Sequence, residues 1–134
     1  MKRRLARECA FKILFMVDMG DNGLEGALNY VLEDEDVSED ELSFCRELVN
    51  GVLENKDELD RKLSVYLVKW KFDRLAAAVR SILRLALYEM LYRSDVPEVV
   101  SINEAIEITK LYQDEESSRF VNGILDKVRQ EIER

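Results

Sequence analysis

Residues 74–92 read RLAAAVRSILRLALYEMLY. Wound as a helix, this segment is apolar on nearly every side, which predicts a central, buried helix with other helices packed around it. Asp73 is placed to cap its start, and Asp95-Val96-Pro97 breaks it. Inside the apolar surround, Arg80, Arg84 and Tyr88 recur at i, i+4 and i+8 as a narrow polar stripe. The stripe reads two ways. Arginine and tyrosine together are frequent in protein–protein contact surfaces. Equally, each arginine neutralises an internal carboxylate such as Glu89, Glu104 or Glu107.

The flanking sequence is helical too. Pro97 is the single proline of the chain, and apolar residues recur mostly every three or four positions. Helices are predicted over about 3–18, stopped by Gly20-Asp21-Asn22-Gly23, and over about 24–32. Ser38 with Glu41 is a capping box for a third helix, whose face carries Leu42, Cys45, Leu48, Val49 and Val52. Asn55 can cap a fourth, with Leu59, Leu63, Tyr66, Leu67 and Trp70 as its seam. Ser101 with Glu104 reads as a second capping box, opening a helix that runs to about Tyr112. The last helix covers about 117–133, with Val121, Ile124, Leu125, Val128 and Ile132 inward. The expected fold is all-α: about seven helices in two small packed bundles, about 1–70 and 71–134.

Composition excludes several functions. The chain has 134 residues, 20 Lys+Arg against 28 Asp+Glu, and a net charge of −8. Without a histidine there is no imidazole base, shuttle or metal ligand. Cys9 and Cys45 lack metal-ligand spacing and fall on apolar helical positions, as buried reduced thiols do. The five glycines form no phosphate-cradling loop. No apolar run approaches a membrane span, and no signal peptide is visible, so a soluble, cytoplasmic protein without enzymatic activity or cofactor is expected.

Charge is unevenly placed. Lys2, Arg3, Arg4, Arg7 and Lys12 stand against Glu8 alone near the start of the chain, while acid concentrates between Glu33 and Glu41. A local basic patch on an acidic body suits a polyanion; the plainer reading is a solvated helix start. On the first helix, Phe11 and Phe15 lie opposite the main apolar seam. They therefore meet a second layer of the same protein, a protein partner or stacked bases. Phe120, at the rim of the last helix beside Arg119, either stacks a base or edges the core. Gly123 inside that helix implies close approach by another helix.

Several linked segments carry a family resemblance. They are Arg3-Arg4-Leu5-Ala6-Arg7-Glu8-Cys9-Ala10, Ile82-Leu83-Arg84-Leu85-Ala86-Leu87-Tyr88-Glu89, Val96-Pro97, Ile102-Asn103-Glu104-Ala105-Ile106-Glu107 and Arg119-Phe120-Val121-Asn122-Gly123-Ile124-Leu125-Asp126. In order and spacing they resemble the NusB family of bacterial transcription antitermination factors, over essentially the whole chain. The resemblance implies a non-catalytic protein that binds single-stranded boxA RNA as a heterodimer with ribosomal protein NusE. That pair joins other Nus factors on RNA polymerase. On matching positions, the RNA side would include Lys2, Arg3, Arg4, Arg7, Glu116, Ser118, Arg119 and Phe120, and the NusE side Phe15, Asp73, Arg80, Arg84 and Tyr88. Val79 departs from the acidic residue frequent before Arg80 in the family, and Arg119 from its frequent lysine.

Two alternatives follow from the same resemblance. NusB-like domains also occur ahead of RNA methyltransferase domains, but this chain has no Gly-rich cofactor loop. A structural homodimer is the other. On the adaptor reading, Arg7→Ala or Phe120→Ala is expected to weaken RNA binding without loss of fold, and Arg84→Glu to abolish NusE association.

Overall fold

The computed structural model describes residues 3–20, 23–67 and 72–132. α1 (Arg3–Asp18) buries Ala6, Cys9, Ala10, Ile13 and Leu14, the spacing that places side chains on one helical face. It stops where Gly20 takes φ 82°, a left-handed conformation open to glycine. α2 (Gly23–Leu32) packs against α1 and buries Ala27, Leu28 and Val31. α3 (Glu39–Glu54) begins at the predicted capping box. There the Glu41 N–H donates to Ser38 Oγ at 3.1 Å and the Ser38 N–H to Glu41 Oε1 at 2.9 Å. α4 (Lys56–Ser64) buries Leu59 and Leu63.

A 3-10 turn, Phe72–Arg74, leads into α5 (Ala77–Tyr92), followed by α6 (Glu98–Tyr112) and α7 (Glu115–Ile132). α5 is the central helix, as its sequence predicts. It packs on α1, α3, α4, α6 and α7, and residues 81–90 are all buried. One apolar cluster runs without a break from Ala6 in α1 to Val128 in α7. The predicted division near residue 70 falls in residues 68–71, outside those described, as does Trp70. Both thiols are buried, and burial pushes Cys9 up to about 11 and Cys45 to about 12.

Five helix ends or caps differ from expectation. Asp73 does not cap α5; it lies in the 3-10 turn, and α5 starts after Ala76, which has no side-chain cap bond. Arg80 ties down the segment that precedes the helix, donating through Nη1 to the carbonyls of Asp73 at 3.2 Å and Leu75 at 2.6 Å. Asn55 turns the other way and closes α3, its Nδ2 donating to the Gly51 carbonyl at 2.8 Å. Tyr66 and Leu67 lie beyond the end of α4 but still pack on the core. Ser101 and Glu104 are interior to α6, because Pro97 already stands at the N-cap and its carbonyl receives the first helical bonds. α7 opens at Glu115 rather than 117, with Asp114 Oδ1 accepting from the Ser117 N–H at 2.7 Å.

Gly123 is exposed, and among the described residues nothing lies within 4 Å of where its Cβ would stand, so no described helix approaches it. The close approach is at Gly51 instead, where a Cβ would overlap the Tyr88 ring.

Candidate functional site

Both predicted faces are assembled from ion pairs. At the start of α1, Arg3 lies 4.5 Å from the Phe44 ring centroid and 3.5 Å from Asp95. Arg93, 4.9 Å from the same centroid, is shared between Asp95 and Glu47. Its hydrogen bonds hold the Asp95 carboxyl far below the usual carboxylate range. Arg4 reaches α6, donating through Nε and Nη2 to Glu104 at 3.0 and 2.6 Å. That pairing lowers the Glu104 pKa and raises that of Arg4.

Arg7 is elsewhere. It is 4% exposed, and both Nε and Nη2 donate to Glu89 at 2.8 Å. Glu89 is itself 1% exposed and also accepts from Ser101 Oγ at 3.3 Å. The sequence-predicted surface contact at Arg7 is thus a buried tie between α1, α5 and α6. Lys2 lies outside the described residues.

The second predicted RNA cluster sits at the start of α7. Glu116 and Arg119 are exposed, Arg119 pairing with Glu115 at 3.4 Å. Phe120 is half-buried and lines a groove of about 350 Å³ with Arg74, Leu75, Ala76, Val79, Glu116 and Ser117. It is therefore a core-edge aromatic with one side open. Ser118 turns inward, 2% exposed, and donates to the Glu115 carbonyl at 2.7 Å. No hydrogen bond or ion pair among the described residues joins Arg3, Arg4 or Arg7 to this cluster.

The predicted partner stripe is mostly internal. Arg84, 7% exposed, pairs bidentately with Asp60 at 2.7 and 2.9 Å and lies 3.3 Å from Asp18 and 5.0 Å from the Phe72 centroid. Arg80, half-buried, donates to Asp18 at 2.8 Å through Nη2. The neutralising acids are Asp18 and Asp60, not Glu89, Glu104 or Glu107. Burial alone would raise the Asp18 pKa, but the Arg80 hydrogen bond and the charges of Arg84 and Arg80 outweigh it and hold the carboxyl below its ordinary value. Tyr88, 8% exposed, stacks on Tyr92 with centroids 5.1 Å apart.

What remains at the surface is Asp73, part of Arg80, and Phe15. Phe15 is half-buried in an apolar groove of about 280 Å³ with Phe11, Met16, Tyr30 and Tyr112. Phe11 is buried within the chain against Tyr112, centroids 5.1 Å apart. Three residues that organise this face, Asp18, Asp60 and Gly51, belong to no motif of the sequence. Asp18 did carry a signal: a carboxylate in the last turn of a helix opposes the macrodipole unless a cation meets it.

Among the described residues no group of Cys, Asp and Glu could hold a metal ion, and no helix is long and apolar enough to cross a membrane. Fold and site together define an all-α protein whose two candidate faces are ordered by arginine–carboxylate pairs.

A model of the NusB family matches residues 4–130. Transcription antitermination protein NusB of Bacillus subtilis (strain 168) is 46% identical over 134 residues, covering 100% of this chain and 99% of that protein. NusB of T. maritima superposes with a TM-score of 0.89 at 42% identity, covering 98% of this chain and 92% of that one. A chain from a crystal structure of the antitermination factors NusB and NusE in complex with dsRNA gives a TM-score of 0.88 at 24% identity. It covers 97% of this chain and 98% of that one, a likeness of fold alone. The chain belongs to the NusB family of transcription antitermination proteins.

Proposed function

We propose that this protein is a non-catalytic adaptor in the cytoplasm, binding single-stranded boxA RNA as a heterodimer with NusE and joining other Nus factors on RNA polymerase. The family match across residues 4–130 carries the reading. The crystal structure that groups NusB and NusE with dsRNA supports the choice of partners. Exposed Arg4 and Arg119, with Phe120 on its open groove, supply charge and a stacking surface to RNA. Phe15, Asp73 and Arg80 supply the NusE side. Arg7, Ser118, Arg84 and Tyr88 act from beneath, holding those elements in place.

Assembly is cooperative on this reading: each partner orders or extends the surface the other needs, so RNA and NusE strengthen one another reciprocally. The test is anisotropy of a labelled single-stranded boxA RNA, titrated with the protein alone and with NusE present, across salt concentrations. Binding is expected to tighten with NusE, with a log–log salt slope of about −0.7 per phosphate engaged. Absence of binding in both conditions would refute the reading.

A further inference from the structure

The arginines at the start of α1 are all paired with carboxylates. Arg3, Arg4, Arg7 and Arg93 are matched by Asp95, Glu104, Glu89 and Glu47, each arginine within an ion pair. Three of these arginines are substantially covered, their side chains 30%, 5% and 18% exposed for Arg3, Arg7 and Arg93. Arg4 is different. Its side chain is 56% exposed, yet Nε and Nη2 are both occupied by Glu104.

Glu104 is anchored within α6, its own side chain 15% exposed, and Arg7 Nη1 lies 3.8 Å from its Oε1. A carboxylate meeting a guanidinium through two oxygens occupies the fork a phosphate would use. An RNA phosphate arriving at Arg4 therefore displaces Glu104 or settles beside a like charge. Glu8 and Glu107 add further negative charge within electrostatic reach of Arg4, but neither is hydrogen-bonded to it.

We propose that Glu104 is a specificity-determining residue of the RNA face: by engaging Arg4 it holds down binding of sequence-unrelated single-stranded RNA, whose few contacts cannot offset the displaced pair. The inference rests on the RNA reading above. RNA that also engages the Phe120 groove and arrives with NusE carries enough additional contact to displace the carboxylate.

The probe is a labelled oligouridylate, which offers backbone charge without the boxA sequence, titrated across salt concentrations. Glu104→Gln is expected to bind it more tightly by about threefold to tenfold, the scale of one partly screened like-charge repulsion removed. The salt slope should steepen by about 0.7, one more phosphate engaged. Adding Arg4→Gln should abolish the gain, and Glu104→Asp, with a shorter reach, should give an intermediate one. Glu25→Gln at an exposed position of α2 makes the same change in net charge and should give none. Equal or weaker binding by Glu104→Gln, with thermal melting unchanged, overturns the proposal; so does an equal gain from Glu25→Gln. Wild-type protein that fails to bind boxA RNA with NusE present overturns the RNA reading itself, and this inference with it.

Discussion

Arg7 and Glu89 show how far one burial changes a residue's meaning. The pair is bidentate and nearly inaccessible, so removing one partner strands a charge in the core. Glu89→Ala is expected to destabilise the protein by about 3–5 kcal/mol, a large share of the roughly 5–15 kcal/mol that holds such a domain together. Arg7→Ala leaves Glu89 unpaired in the same way, so loss of RNA binding in that variant would report loss of fold rather than a lost phosphate contact. Replacing both residues by apolar ones of similar volume should cost much less than either single change. Chemical denaturation of the two single variants and the double variant checks this: additive losses would mean that the two side chains are not coupled. Arg84→Glu falls under the same logic, since it would set a third carboxylate against Asp60 and Asp18.

Gly51 makes a different argument at the same scale. The Tyr88 ring occupies the place of its Cβ, so Gly51→Ala forces a ring or a helix to move. The expected loss is about 1–3 kcal/mol, the range for overpacking a tight core. With Tyr88→Ala in the background the added methyl has room, and Gly51→Ala should then cost little. A Gly51→Ala protein as stable as wild type in urea would contradict the contact. α3 and α5 are thus locked together by a feature with no signature in local sequence, because a glycine in a helix looks the same whether a neighbour crosses it or not.

At the level of elements, helices were read from periodicity and boundaries were not. The seven α-helices among the described residues and the centrality of α5 follow from apolar spacing, because burial is averaged over a whole segment. Caps depend on one side chain choosing between two nearby backbone groups. Asn55 chose the end of α3 over the start of α4, and Pro97 pre-empted Ser101 by a turn. The candidate site fared in the same way. Arg4 and Arg119 are exposed and Phe120 is half-buried, whereas Arg7 and Arg84 are internal because the acids that draw them inward come from distant helices; Ser118 and Tyr88 are internal through a backbone hydrogen bond and a ring stack.

Two helix positions have stability in reserve. Ala76 stands at the N-cap of α5 with φ −56° and ψ 140° and no capping bond. Ala76→Asp should supply one and raise stability by about 1 kcal/mol. Gly123 is exposed in α7 with open space at its Cβ, so Gly123→Ala should gain about 0.8–1 kcal/mol. Thermal melts of both variants test this, and a lower midpoint for Gly123→Ala would reveal an approach to that helix absent from this structure.

For the whole molecule, an excess of acid coexists with a dense set of arginine pairs, and that combination sets its response to pH. Asp18, Asp95, Glu104 and Asp114 are all held below their ordinary pKa values, by arginine for the first three and by the Ser117 backbone for the last. A carboxyl whose folded pKa is depressed binds protons more readily in the unfolded chain. Its contribution is therefore complete above the ordinary value of about 4 and is lost as pH falls through the folded value. Stability should decline steeply below about pH 5, before any change at neutral pH is visible. Asp18 is the informative site, because Arg80, Arg84 and Lys56 all converge on it from α5 and α4. In Asp18→Asn, Arg84 keeps Asp60 and Arg80 keeps the Asp73 and Leu75 carbonyls, so the fold should survive with reduced stability at neutral pH. Having lost one depressed carboxyl, the variant should then lose less stability than wild type on acidification. The two curves of unfolding free energy against pH should converge toward acid; parallel curves would show that Asp18 is not among the groups linking proton uptake to unfolding.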